Sequence, residues 1–298
     1  MTVRNDLDEI RSSQKKIGRD LLKRKIRVFG RNKLAVFGLV VILIFLVGAV
    51  FAQWIAPYDP FEPNFPDRLV GPSLTHIFGT DTLGRDLFSR LLYGARNSLA
   101  IALTSALAAS SIGVIFGAIG GYFGGWIDKL LVHFSELINC IPQIILVLVL
   151  TSLYTSNVLT LIFIFGITGW TGTFRLVRTD YIALREETYV KVCEAFGMSK
   201  LKIMFKGILP SALTSAIIQL TMSIPSYVMS EASLSFLGFG VPKSVTTWGT
   251  MLNAANSTRV LLYYPCVWMV PGIAIVIFIL AINFFGDGLR DVLDPHQM

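Results

Sequence analysis

The chain has 298 residues, of which 53% are hydrophobic and only 15% charged, and its formal net charge is +7. A soluble domain carries charge on about a quarter of its residues, so this composition excludes an ordinary water-soluble protein. The sequence contains no GxxxxGK[ST] loop for nucleotide phosphates, no HExxH zinc pattern and no nucleophile constellation. We therefore predict no catalytic residues and no metal site.

Five uncharged stretches are long enough to cross a bilayer, which takes about 20 apolar residues. They cover residues 34–58, 97–127, 137–174, 208–230 and 260–286. The third stretch is nearly twice the length of one span, so it must fold back, and residues 154–157 are the polar stretch available for a turn. The sequence therefore predicts an all-α integral membrane protein with about six transmembrane helices.

The distribution of basic residues predicts the orientation of these spans. With a cytosolic N-terminus and six spans, 20 of the 26 Lys and Arg residues lie in cytosolic segments and six in outer segments. An excess of Lys and Arg is typical of cytosolic segments, so we expect both termini to be cytosolic.

The N-terminal arm, residues 1–33, carries eleven Lys and Arg residues between apolar residues at helical spacing. This pattern is typical of an amphipathic helix on the inner membrane surface. A basic run can also bind nucleic acid, but its place directly before a span favours the membrane. We divide the chain into this arm and a transmembrane domain, residues 34–298.

The outer loop, residues 57–97, begins with a proline-rich part and then becomes amphipathic. From Leu83 to Leu99, apolar residues recur at helical spacing, which predicts a helix resting at the outer membrane surface. We consider two roles for it equally, an interfacial anchor and a surface that receives a delivery partner.

The second span contains Gly113, Gly117 and Gly121, spaced four residues apart. Small residues at this spacing allow close helix packing. Residues 120–125 are predicted to form the cytosolic turn that follows.

The cytosolic loop, residues 175–210, is charged yet helical in pattern. Apolar residues between Tyr181 and Phe196 predict one short helix, Gly197 a break, and those between Leu201 and Phe205 a second helix. Pro210 is expected to begin the next membrane helix. Two short helices at an elbow would suit docking of a partner.

Three polar residues are candidates for a solute pathway or for helix-end roles: Glu136, Gln219 and Glu231. Glu136 and Glu231 are expected close to a membrane interface, where a carboxylate reaches water. That position favours local hydrogen bonding over a proton relay, although a transporter driven by an ion gradient remains an alternative.

Several segments resemble a known family. The elbow resembles the EAA motif of the permease subunits of bacterial ABC importers, through Tyr189, Lys191, Val192, Cys193, Glu194, Ala195, Phe196, Gly197, Leu209 and Pro210. The outer-loop motif, with Gly79, Asp81, Gly84, Arg85 and Asp86, is similar to the second permease subunit of the oligopeptide, dipeptide and nickel importers. Segments 234–240, 248–252 and 286–295 share this similarity, which extends from Leu21 to Pro295.

The resemblance implies a non-catalytic, multi-pass subunit of the bacterial inner membrane with the type I ABC importer permease fold. Its implied partners are a second, different permease chain, two ATP-binding subunits and an extracytoplasmic solute-binding protein, with no nucleic acid. This chain would bind no cofactor, since the partner subunits use ATP and magnesium. Loop 175–210 would dock on an ATPase subunit.

The chain departs from the motif at two places. It has Lys191, Val192 and Cys193 where the motif has Glu-Ala-Ala, and Gly207 where a His often precedes Ile-Leu-Pro. This difference favours a dedicated ATPase, with Glu187 or Glu194 supplying the missing carboxylate.

The substrate is the part that the sequence predicts least directly. The spans carry scattered neutral polar groups and no cluster of metal ligands, which favours short peptides, with nickel or a metal chelate as the alternative. The C-terminal segment 286–291 is expected either to stop the last helix at the membrane surface or to contact a partner subunit.

Overall fold

The structure, a computed structural model, describes residues 24–154 and 157–293. Most of the predicted N-terminal arm, two residues of the predicted 154–157 turn and the end of the C-terminal motif lie outside these ranges. Within the described part the only extended pairing is an isolated bridge between Thr80 and Asp86. The prediction of an all-α protein is confirmed.

The described helices follow one another along the chain with few long connections. They are α1 (residues 24–31), α2 (Lys33–Val50), α3 (Ala52–Ile55), a 3-10 helix (Phe65–Asp67), α4 (Leu87–Phe123), α5 (Gly125–Asn139), α6 (Gln143–Leu153), α7 (Val158–Gly169), α8 (Thr171–Arg185), α9 (Thr188–Ala195), α10 (Lys200–Lys202), a π-helical segment (Ile203–Ile208), α11 (Leu209–Leu237), α12 (Trp248–Asn253), α13 (Thr258–Tyr263) and α14 (Cys266–Leu293).

Five of these helices or continuous helix pairs are long and apolar enough to cross a membrane. They are α2, α4, α7 with α8, α10 with α11, and α14. A sixth span results if α5 and α6 count as one, although the two are bent by 83°. The structure therefore agrees with the prediction of about six spans. We call the end that carries α9 the inner end, following the distribution of Lys and Arg.

The long uncharged stretch 137–174 breaks twice. One break is where it was predicted: α6 ends at Leu153, and α7 begins after Asn157, whose side chain accepts a hydrogen bond from the Thr160 amide at 2.7 Å. The other, at residues 140–142, was not predicted. Pro142 has no amide hydrogen and disfavours helix in the residue before it, so α5 ends there.

Two expectations about the second span are wrong. The amphipathic stretch 83–99 is not a separate interfacial helix, because α4 begins at Leu87 and continues to Phe123. Its polar face contacts protein: Arg90 is only 2% exposed and donates to the Pro60 carbonyl at 3.1 Å. The turn is also shorter than predicted, since only Gly124 lies between α4 and α5. Gly124 and Gly125 have φ of 64° and 61°.

The predicted glycine contact is confirmed. A Cβ added at Gly113, Gly117 or Gly121 would lie 2.6–2.8 Å from a Cβ atom of α8. Backbones that approach this closely leave no room for any side chain on that face of α4. The three glycines therefore fix α4 against α8.

The C-terminal segment is not a helix stop at residues 286–291, because α14 continues through Leu293. A Cβ at Gly288 would lie 2.2 Å from the Ala35 Cβ on α2, and Asp291 accepts a hydrogen bond from the Asn32 side chain at 3.2 Å. The segment joins the last helix to α2. Whether it also contacts a partner subunit stays a prediction.

The orientation can be tested with reporter fusions. A reporter inserted after Ser73 should report an outer location and one after Lys200 a cytosolic location, because most basic residues lie on the Lys200 side. Protease accessibility in sealed vesicles would check the same two sites. A cytosolic reading at Ser73 would contradict the span assignment.

Candidate functional site

The inner loop, residues 175–210, is built differently from the predicted pair of elbow helices. Tyr181 and Leu184 belong to α8, which continues the fourth span. Only α9 is a separate short helix. The residues of the predicted second helix instead form α10 and the π-helical segment, which are the inner end of the fifth span. The predicted break is confirmed, since Gly197 has φ of 73°, a conformation that glycine adopts without strain.

A small apolar core holds the loop against the spans. Val190 of α9 is fully buried, together with Ile203 and Met204 of the π-helical segment. The Tyr181 hydroxyl donates to the Met204 carbonyl at 3.1 Å, so α8 is tied directly to the start of the fifth span. A movement of α9 would therefore reach two spans at once.

Polar contacts connect the same loop to the second span and to α5. Arg178 binds the Asp128 carboxylate in a bidentate ion pair, with 2.6 Å between Nη2 and Oδ2. Arg185 donates to the Tyr122 carbonyl at 3.0 Å, close to the end of α4. A bidentate Arg–carboxylate pair has a well-defined geometry, so the Arg178–Asp128 pair restricts how α8 can move relative to α5. The Arg185 hydrogen bond restricts its movement relative to α4.

The solvent-exposed surface of α9 and its C-terminal end carries apolar side chains, which is unusual for a loop that faces only water. They are Tyr189, Val192 and Phe196, with Phe196 87% exposed. Contiguous apolar exposure rimmed by charge is typical of a protein contact surface. Leu209 and Pro210, the last motif residues, form the first turn of α11 beneath this surface.

The motif's unusual Lys191 is paired within the loop. Its Nζ lies 3.2 Å from Oε2 of Glu186, and this hydrogen bond lowers the pKa of the exposed Glu186 carboxyl. Glu187 and Glu194 are both exposed, as a substitute for the missing carboxylate must be. Their role, like that of Cys193 and Ala195, stays a prediction.

At the outer end, the 79–86 motif forms a network of its own. Oδ1 of Asp81 accepts hydrogen bonds from the Leu83 and Arg85 amides at 2.8 and 3.0 Å. Oδ2 accepts from Arg85 Nε at 2.8 Å and lies 3.4 Å from Arg90 Nε. Asp81 is 1% exposed and Arg90 2%, so the network anchors the outer loop to α4.

Asp86 and two glycines complete this network. Asp86 caps α4 by accepting from the Ser89 amide at 2.8 Å, and its other oxygen lies 3.0 Å from Nδ1 of His76. Gly79 and Gly84 have φ of 82° and 79°, and a Cβ at Gly84 would lie 1.7 Å from the Asn64 carbonyl oxygen. These contacts give the motif a structural role inside this chain, and its reception of a partner stays a prediction.

The two candidate glutamates differ in their surroundings. Glu136 is exposed on α5, 3.2 Å from His133. Glu231 was expected to reach water, and this is wrong: it is 0% exposed and accepts hydrogen bonds from Ser98 and Ser235 at 3.2 and 2.7 Å. The reason is that α4 packs against α11 at this position, so Glu231 joins these two helices.

Gln219 lies beside a cavity of about 340 Å³ among the membrane helices. Gln219 is halfway along the helix Lys200–Leu237, and Thr171 is near the middle of Val158–Arg185. The lining of the cavity contains no Asp, Glu, Lys, Arg or His, but it has several amide and hydroxyl groups. The polar lining residues are Asn139, Gln143, Thr168, Thr171, Gln219, Ser223, Ser226 and Tyr227.

Of these lining residues, the sequence pointed only to Gln219. Gln219, Ser223 and Ser226 are spaced as one helix face, a signal that could have identified the α11 side. Asn139 and Gln143 could not have been found in this way, because the unpredicted break at residues 140–142 places them there. Broken helices beside a cavity at mid-membrane depth are a common way to build a transport site.

The comparisons with known proteins cover nearly the whole chain. The family described as binding-protein-dependent transport system inner membrane component matches residues 111–298, and the N-terminal transmembrane domain of oligopeptide transport permease C matches residues 21–72. The oligopeptide transport system permease protein OppC of Bacillus subtilis is 35% identical over 97% of this chain and 93% of its own length. The glutathione transport system permease protein GsiD of Escherichia coli O6:K15:H31 is 37% identical over 90% of this chain and 88% of its own.

These matches include both the inner loop and the start of the first span. The helical architecture, the apolar spans and the family match agree on a multi-pass protein of the inner membrane. The chain thus belongs to the family of inner membrane components of binding-protein-dependent transport systems.

Proposed function

We propose that this chain is one of two different permease subunits of an ATP-driven importer for short peptides. It forms half of the translocation pathway, and an extracytoplasmic binding protein delivers the solute. ATP and magnesium are used by two ATP-binding subunits, so this chain binds no cofactor and catalyses no reaction.

The uncharged polar cavity around Gln219 is the observation that carries this proposal. Amide and hydroxyl groups can hydrogen-bond to a peptide backbone whatever its side chains are. The absence of charge from the lining avoids discrimination among acidic, basic and neutral peptides, and weak contacts favour release. The names of the relatives, an oligopeptide and a glutathione permease, support the same substrate class.

The inner loop supports the coupling role. Its exposed apolar surface, formed by Tyr189, Val192 and Phe196 of α9 and its end, is where an ATPase subunit would dock. Because α9 is packed on Met204 and α8 is tied to the same residue, closure of the ATPase subunits would move the fourth and fifth spans together.

Metal transport is the alternative that the uptake experiment must separate. Among residues 24–154 and 157–293 there is no group of three or more His, Cys, Asp or Glu side chains placed to hold a metal ion. A bare metal ion would need such side chains as ligands, whereas a chelated ion would not need them. A chelate therefore competes with peptides as the substrate.

We expect deletion of the gene to abolish uptake of labelled di- and tripeptides in a strain without another peptide importer. Wild-type chain should restore uptake. Gln219→Leu should restore it poorly, because an apolar group replaces a hydrogen-bonding one in the cavity. Ile273→Leu, at an exposed position of α14, should restore it fully. Unchanged peptide uptake with lost nickel uptake would contradict the peptide assignment and leave the importer assignment intact.

Coupling has its own test at Gly197. We expect Gly197→Val to leave the complex in the membrane but to abolish ATP-driven uptake or release the ATPase, since a side chain at φ 73° strains the backbone by about 1–2 kcal/mol. No neighbour lies within 4 Å of a Cβ there, so the effect is conformational. Gly207→Val, inside the π-helical segment with only ordinary contacts, is the control. Normal uptake and normal ATPase retention in Gly197→Val would remove the docking role.

A further inference from the structure

A groove of about 440 Å³ lies at the inner end of the protein, away from the polar cavity. Its walls are the last turns of α4, the start of α5 and the segment from α10 to α11. The residues that define it include Val114, Ala118, Phe123, Leu201, Phe205 and Leu209, and the lining has no charged side chain. A polar solute would find no partner inside.

The dimensions of the groove match one membrane leaflet. It follows α4 from Val114 to Phe123, a distance of about 14 Å at 1.5 Å per residue. The hydrocarbon core of a bilayer is about 30 Å thick, so the groove extends through roughly the inner half. An acyl chain of the inner leaflet has this length and this chemistry.

Three lysines are sequence neighbours of residues that line the groove. Lys200, Lys202 and Lys206 are exposed and alternate along the chain with the lining residues Leu201 and Phe205. No carboxylate of residues 24–154 and 157–293 forms an ion pair with any of these lysines. Three unpaired cations at an inner membrane surface attract anionic headgroups.

The wall of the groove has an unusual backbone. The π-helical segment Ile203–Ile208 contributes Met204 and Phe205 to the lining, and π-helical turns concentrate at functional positions. The Met204 carbonyl also accepts the Tyr181 hydroxyl, so the groove borders the contact that ties α8 to the fifth span.

We propose that this groove binds an anionic phospholipid of the inner leaflet, with an acyl chain in the groove and the phosphate at the three lysines. The basic N-terminal arm of the same chain does not suit this site, because its charge has the same sign as that of the three lysines. An apolar helix of a partner subunit could occupy the groove, but it would supply no anion for the three lysines. This site is additional to the proposed transport function and does not depend on it.

A lipid at this position would influence the inner loop. Met204 belongs both to the groove and to the core beneath α9. A lipid bound in the groove would therefore stabilise the arrangement of the groove walls that the structure shows. A ligand shifts an equilibrium toward the conformation that it binds better. The lipid is thus expected to stabilise one state of the loop.

The first test measures retained lipid. The full complex is reconstituted in nanodiscs of phosphatidylcholine with a minority of phosphatidylglycerol, released into detergent, and its bound lipids are counted by native mass spectrometry. We expect Lys200→Gln, Lys202→Gln and Lys206→Gln to weaken phosphatidylglycerol binding about fivefold per lysine, without changing phosphatidylcholine binding. Lys243→Gln, at the outer end, is the matched control. Equal retention of phosphatidylglycerol by the triple variant and the control would overturn the proposal.

The second test identifies the occupant directly. The photoreactive residue p-benzoylphenylalanine replaces Phe205 in the full complex in native membranes, and the adduct is analysed by mass spectrometry. A phospholipid adduct supports the proposal. An adduct with a partner permease, or with the N-terminal arm of this chain, overturns it.

Discussion

Asp81→Ala is expected to destabilise the protein by about 3–5 kcal/mol, the cost of removing one partner from a buried ion pair. The Asp81 carboxylate accepts from two amides and from Arg85, and it is the only anion within 4 Å of the Arg90 guanidinium in the described part. Without it, the Arg90 guanidinium would remain buried and uncompensated in the first turn of α4. The outer loop should lose its attachment to the spans.

The measurement is thermal unfolding of the purified chain followed by tryptophan fluorescence, together with limited proteolysis of the outer loop. Glu62→Ala, in the same loop but exposed, is the control and should change stability by less than about 0.5 kcal/mol. The double variant Asp81→Ala with Arg90→Leu should recover part of the loss, because both charges are then gone. If Asp81→Ala unfolds at the same temperature as Glu62→Ala, the proposed structural role of the motif is wrong.

Gly113→Ala is expected to destabilise the packing of α4 on α8, by about 1–3 kcal/mol. The new Cβ would lie 2.6 Å from the Thr173 Cβ, 2.7 Å from the Trp170 carbonyl oxygen and 2.9 Å from the Phe174 amide nitrogen. Two of these atoms are backbone atoms, one in α8 and one in the residue that precedes it, so no side-chain rotation relieves the contact. The two helices would have to separate.

Gly272→Ala on α14 is the matched control, because it makes the same chemical change inside a membrane helix with no atom within 4 Å of the new Cβ. Replacing glycine by alanine in a helix is favourable by about 1 kcal/mol in the absence of a clash, so this variant should unfold at the same or a higher temperature. Unfolding temperatures and the yield of assembled complex check both variants. A rise in stability for Gly113→Ala would contradict the close contact.

The sequence by itself determined the features that depend on local chemistry. Uncharged stretches predicted the spans because a bilayer admits only apolar, internally hydrogen-bonded segments. Gly113, Gly117 and Gly121 predicted a close helix contact from their spacing alone, and Gly197 predicted a break from the freedom of glycine at positive φ. The resemblance of the outer and inner motifs identified the family.

Only the tertiary structure decided which polar groups are buried and where helices continue. Arg90 looked like the water-facing side of an interfacial helix until Asp81 and Pro60, from the preceding loop, were found around it. Glu231 looked close to water, but Ser98 lies 133 residues earlier in the chain and covers it. The cavity at Gln219 brings together residues from α5, α6, α7, α8 and α11 and from the break at Pro142. Hydrophobic periodicity describes one element at a time, whereas burial and cavities arise from elements distant in sequence, so the sequence alone did not predict them.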